Sequence, residues 1–192
     1  MRLVRKFCLL LLIVFGVANA SAQQKAPDLS LKDTNGRTFQ LADLRSKVVL
    51  LNFWATWCAP CRTEIPDLVK KQREYRRKGL RVIGITYPPQ KLAEVRRFVQ
   101  KLKINYPTVL GLKETKRAFT SSETLPLTVI IDRDGTIRGI VEGIMYSDEF
   151  DKQVKFLLAD SSIERKLVNP MKTSISQQKL TVLSSTQPRF YF

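Results

Sequence analysis

Apolar positions change their period several times along this chain, and each change marks a new element. Val48 to Ala55 is an essentially continuous apolar run rich in β-formers, which predicts a central strand buried on both faces. A helix is predicted from about Pro60 to Lys78, with Gly79 as its stop. Pro60 suits a first turn, and Pro66 is expected to kink the helix. Leu80 to Thr86 reads as the next buried strand. After Pro88-Pro89 breaks the chain, Leu92, Val95, Val99 and Leu102 fall at helical spacing, so 90–103 should form an amphipathic helix. Thr108 to Leu110 is a short strand, and the polar stretch 113–124 a short helix leading into a loop. Leu127 to Ile131 and Thr136 to Val141 are strands joined by the turn Asp132-Arg133-Asp134-Gly135. Ser147 is a candidate cap for a last helix whose stripe is Phe150, Val154, Leu157 and Leu158. Ahead of all these, two short runs flank Asn35-Gly36, a hairpin signal. The order implies an α/β fold with a mixed sheet, helices on both faces, an N-terminal β-hairpin and a central αβ insertion.

The first twenty residues read differently. Arg2, Arg5 and Lys6 precede the apolar run Phe7 to Val17, and Ala18-Asn19-Ala20 offers small residues for cleavage, so 1–20 are expected to be a signal peptide. The apolar run is about a dozen residues, short of the roughly 20 that span a bilayer. The expected organisation is therefore a leader, a domain over 21–160, and a polar extension over 161–192 whose structure the sequence does not specify. Export to the periplasm or another extracytoplasmic space follows.

Cleavage changes the cysteine count, because Cys8 lies in the leader and only Cys58 and Cys61 remain. A bridge between them closes too short a loop to stabilise a fold by much. Two cysteines in a chain without histidine cannot complete a zinc site, and Arg62 stands where haem attachment would need a histidine. What is left is a redox pair that needs no cofactor and no metal. Cys58 falls where the buried strand ends and the helix begins. Free N–H groups and the positive end of the helix dipole should lower its pKa there and make it the attacking thiolate. Cys61 follows one turn later, in reach to resolve a mixed disulfide.

The segment Val49-Leu50-Leu51-Asn52-Phe53-Trp54-Ala55-Thr56-Trp57-Cys58-Ala59-Pro60-Cys61-Arg62-Thr63-Glu64-Ile65-Pro66 closely resembles the active-site stretch of the TlpA/ResA-like thioredoxins. Ala26-Pro27-Asp28-Leu29 and Val129 to Gly135 resemble further parts of that family, and the resemblance covers roughly 26–160. It implies a thioredoxin fold and an extracytoplasmic protein-disulfide reductase, with apocytochrome c among the candidate substrates and a membrane thiol donor restoring the dithiol. By the same resemblance Pro126 takes the place of the family's cis-proline, which packs beside the cysteines and helps to hold the substrate chain. Leu125 precedes it where the family usually has a Gly-x-Pro run, so contacts with the substrate are expected to differ.

Glu64 matches an acid of the ResA-like site. It could carry protons to and from Cys61, or simply suit the helix dipole in the first turn. Asn52 stands where ordinary thioredoxins keep a buried Asp, and an amide cannot exchange a proton at neutral pH, so a relay would fall to Glu64. Trp57 is expected on the surface around Cys58, and strand alternation assigns Trp54 to the core.

Charge adds one further expectation. Lys and Arg number 33 against 17 acids, a formal charge of +16. The runs Lys70-Lys71-Gln72-Arg73 and Arg76-Arg77-Lys78 could face anionic lipid or an acidic partner, or be a solvated helix face. Nucleic-acid binding does not suit an exported chain without a matching motif. Asp132-x-Asp134-Gly135 lacks the later ligands of a calcium loop and reads as a turn. Against a reductase stand a disulfide oxidase or isomerase, a peroxiredoxin-like peroxidase, and a binding module on the same fold.

Overall fold

The computed structural model describes residues 24–159. The expected leader and the C-terminal extension lie outside the described residues. A short hairpin opens the fold, with β1 (Ser30–Lys32) antiparallel to β2 (Thr38–Gln40). Asp33 organises its turn, since its carboxylate accepts the backbone N–H groups of Asn35 and Arg37, and Gly36 takes φ 87°.

The main sheet has the order β5-β4-β3-β6-β7. Its centre is β3 (Val48–Trp54), with every residue buried. Parallel to it runs β4 (Leu80–Thr86), Val48 opposite Leu80, and beyond that the edge strand β5 (Thr108–Leu110). On the other side β6 (Leu127–Ile131) and β7 (Ile137–Glu142) are antiparallel. Parallel neighbours need a crossover, and two helices supply it. The helix α1 (Ala59–Tyr75) joins β3 to β4, and α2 (Leu92–Lys101) joins β4 to β5. A short α3 (Lys113–Arg117) follows β5. The last helix, α4, passes through Ser147–Phe150, a widened π turn at Asp151–Lys155, and Phe156–Leu158.

Strand alternation sorts the core into two layers. Val48, Leu50 and Trp54 face α1, α2 and α4, where Ile65, Leu68, Val95, Phe150 and Val154 meet them. Val49, Leu51 and Phe53 face the opposite side, covered by Leu31 of the hairpin, Leu41 and Phe119. Each such side chain contributes roughly 1.5–3 kcal/mol by leaving water. Helical cover on both faces and the αβ insertion (α2 and β5) match the expected architecture.

Several details differ from expectation. The first helix starts at Ala59 and becomes a tighter turn at Arg76–Lys78, ended by Gly79 at φ 100°. Leu92 is 37% exposed and lies off the buried stripe, which Phe98 joins in its place. Ser147 is the first helical residue, not the cap; Tyr146 holds that position, and the Ser147 hydroxyl donates to Asp67 instead. Of the basic run 70–73, Lys71 and Gln72 are buried. Lys71 lies 4.4 Å over the Phe150 ring, and Gln72 accepts the Val82 N–H at 2.6 Å, so this stretch packs the helix rather than offering a continuous cationic face. At the end of the sheet away from Cys58, Arg133 donates to the carbonyls of Ser46, Lys78, Leu157 and Leu158. No helix of the described residues is long and apolar enough to cross a membrane.

Candidate active site

Cys58 ends the loop after β3 and caps α1, with φ −74° and ψ 109°. An N-terminal cap needs an acceptor for an unpaired N–H, and here the Cys58 Sγ accepts from the Cys61 N–H at 3.2 Å. Pro60 enters the first turn without removing a bonded N–H. The two cysteines form a disulfide with Cα atoms 5.3 Å apart. Their exposures differ: Cys58 is 5% accessible and Cys61 is sealed at 0%. An incoming sulfur can reach only the Cys58 side of the pair. Beside it Trp57, in the loop after β3, stands 63% exposed, while Trp54 is fully buried, as its strand position implies, and stacks on Phe98 at 5.0 Å.

Three residues after Cys61 on α1, Glu64 is 1% exposed, so it is not a solvated first-turn acid. Its Oε1 accepts the Met145 N–H at 2.7 Å, and its Oε2 accepts from the Asn52 amide nitrogen at 2.8 Å. The same nitrogen donates to the Thr128 hydroxyl at 3.0 Å. Strand pairing explains the meeting, because Asn52 lies directly opposite Thr128 on the helix-facing side of the sheet. Burial pushes the Glu64 carboxyl from its ordinary 4.5 up to about 7, even though the Met145 and Asn52 donors pull it down. Nearby Asp67 adds a smaller upward push. A carboxyl with that value exchanges protons freely near neutrality.

Pairing of Phe53 with Leu127 brings the Leu125–Pro126 segment to the same end of the sheet as Cys58. The Leu125–Pro126 bond is cis, as the resemblance implies, and Pro126 is buried while Leu125 is half-buried. A second cis bond, Tyr87–Pro88, follows β4 at this end, where the sequence indicated only a break. Asn52 and Thr128 were visible as polar residues within apolar strands, which was the available signal for a buried polar contact. Met145 carried none, since it takes part through its backbone.

The comparisons with known proteins agree with this geometry. The model of the AhpC/TSA family matches residues 22–140. The thiol-disulfide oxidoreductase ResA of Bacillus subtilis is 32% identical over 130 residues, 68% of this chain and 72% of that protein. The thioredoxin-like protein YneN of the same organism is 37% identical over 133 residues, 68% of this chain and 77% of that protein. A thiol:disulfide interchange protein of the thioredoxin family from Chlorobium tepidum superposes with a TM-score of 0.66 at 32% identity, covering 71% of this chain and 97% of that one. A fully buried strand leading to a helix-capping disulfide, and relatives of this kind over most of the domain, lead to one conclusion: the chain belongs to the AhpC/TSA family and is a thioredoxin-fold thiol–disulfide oxidoreductase.

Proposed function

We propose that this protein is exported and reduces disulfides of extracytoplasmic proteins, with apocytochrome c among the candidate substrates. The observation that carries this reading is the asymmetry of the pair, with Cys58 at the helix cap and Cys61 sealed, three residues before a buried carboxyl on the same helix. In the reduced enzyme the Cys58 thiolate is stabilised by the Cys61 N–H and the helix end. It attacks one sulfur of the substrate disulfide; the substrate S–S bond breaks, and the other sulfur leaves as a thiolate that takes a proton. Cys61 then gives its proton to Glu64 and attacks the Cys58 sulfur. The Cys58–Cys61 bond forms, the mixed disulfide breaks, and the substrate leaves as a dithiol. Two electrons have passed from the enzyme to the substrate, and a membrane thiol donor returns them. Trp57, Leu125 and Pro126 form the surface on which the substrate chain lies.

The deciding measurement is the reduction potential of the Cys58/Cys61 couple, by equilibration with defined thiol buffers. A value at or below roughly −250 mV is expected of a reductase, and one near roughly −120 mV would make the protein a disulfide donor. If a Cys58→Ser variant keeps all function, the redox reading gives way to a binding module.

The cationic face is narrower than the sequence suggested, comprising Lys70, Arg73, Arg76, Arg77 and Lys78, all exposed. None of the five is in an ion pair among the described residues. Because α1 runs away from Cys58, its basic last turn lies at the far end, suited to meet anionic lipid while the cysteines face outward. Sedimentation with phosphatidylglycerol vesicles tests this. Binding should be lost on replacing Arg76 and Arg77 by Glu, and a wild-type protein that stays in the supernatant at low salt would refute it.

A further inference from the structure

The most unusual side chain outside the redox centre is Lys116 on α3, which is 1% exposed. Burying an ammonium is costly, and a Leu or Met could fill the same space without that cost. The surroundings show how the charge is accommodated. Its Nζ donates to the Thr124 carbonyl at 3.1 Å and lies 4.6 Å over the Tyr87 ring. Burial lowers its pKa, and the charges of Glu123 and Glu142 oppose that shift. Tyr87 in turn donates its hydroxyl to Glu123 at 2.5 Å, and its backbone N–H bonds the Trp54 carbonyl at 2.8 Å.

The side-chain hydrogen bonds of Lys116 and Tyr87 lead to one short segment, and the Tyr87 backbone ties it to β3. Glu123 and Thr124 stand immediately before Leu125 and Pro126. Trp54 ends the strand that delivers Cys58. The cation therefore joins the chain entering Pro126 to the strand carrying the nucleophile, with Tyr87 between them. A loop otherwise held by few contacts, among them an N–H of Thr124 on the Ser122 hydroxyl, gains a fixed attachment at two consecutive residues.

We propose that Lys116 is a positioning residue for the polypeptide substrate, holding 123–125 where Leu125 and Pro126 meet the chain that bears the disulfide. This rests on the reading above, that those two residues form part of the substrate surface. Lys116 touches no reacting atom, so its removal should weaken docking and leave sulfur chemistry alone. A small disulfide that needs no chain alignment should react as before.

The test uses pre-reduced full-length protein in single-turnover mixing with two substrates, a disulfide-bridged peptide and the neutral small disulfide 2,2′-dithiodipyridine. For Lys116→Met the half-saturating peptide concentration should rise about tenfold, with the limiting rate within about twofold and the small-disulfide rate unchanged. An unchanged half-saturating concentration would overturn the proposal, as would a parallel fall with both substrates. If Lys116→Met does not fold, Tyr87→Phe removes only the hydroxyl that ties Glu123. It should raise the half-saturating peptide concentration about threefold, and no change there would equally overturn the assignment. Wild-type protein inert toward 2,2′-dithiodipyridine would instead sink the redox reading on which this one rests.

Discussion

Glu64 is the residue at which packing and proton chemistry meet. It accepts two N–H bonds and yet has its carboxyl raised to about 7, so burial outweighs the donors. The folded protein therefore holds a proton between pH 4.5 and about 7 that the unfolded chain has released. Stability must fall as pH rises through that window, by roughly 3 kcal/mol if the whole shift is realised. In Glu64→Gln this slope should vanish, which urea unfolding at pH 5, 6, 7 and 8 would reveal. Activity should follow the opposite course. If Glu64 takes the proton of Cys61, release of the mixed disulfide accelerates with pH around 7, and the Gln variant loses that rise and slows about 10²-fold or more. A Gln variant with the same pH profile would assign Glu64 to structure alone. The sequence exposed this residue only halfway. An acid three places after Cys61 reads equally as a partner of the helix dipole, and the groups that decide the matter lie 12 and 81 positions away. Lys116 was hidden for a related reason: in a polar stretch, nothing local distinguishes a buried cation from a solvated one.

At the level of elements, the strands were legible and the helix ends less so. β3 and β4 are buried almost throughout, so apart from Asn52, Arg81 and Thr86 they are apolar, and β4 spans the expected Leu80–Thr86. Helix caps depend on one side chain finding one N–H. Ser147 carried the right chemistry at the wrong place, and a cysteine took the cap of α1. The seat of Trp54 and Tyr106 against β4 is set by absence of a side chain at Gly84. A Cβ on Gly84 would lie 2.7 Å from the Trp54 indole nitrogen and 3.2 Å from the Tyr106 ring. Trp54 cannot retreat easily, being stacked on Phe98. Gly84→Ala is therefore expected to cost about 1–3 kcal/mol, seen as a lower denaturation midpoint. An unchanged midpoint would mean that the helix layer yields more readily than its packing implies.

Across the whole molecule, the two ends of the sheet have different tasks. One carries Cys58, Trp57 and Pro126; the other gathers the turns and the last helix. Alternation and crossover logic were enough to derive a mixed sheet with helices on both faces, because parallel strands need intervening helices, while the strand order came from the structure. What they could not supply were the long-range polar ties that close the lower end, since those depend on which carbonyls remain unpaired after folding. Arg133 is the clearest case. Its single guanidinium holds carbonyls from the turn before β3, from the end of α1, and from the end of α4. For a protease this is the latch on α4. In Arg133→Ala, trypsin should nick the chain at Lys152 or Lys155 well before the sheet opens, while the core fragment keeps its disulfide. Cleavage there at the wild-type rate would show that Val154 and Phe150 secure the helix unaided. The durability of the enzyme toward proteases thus turns on one arginine at the end of the sheet remote from its cysteines.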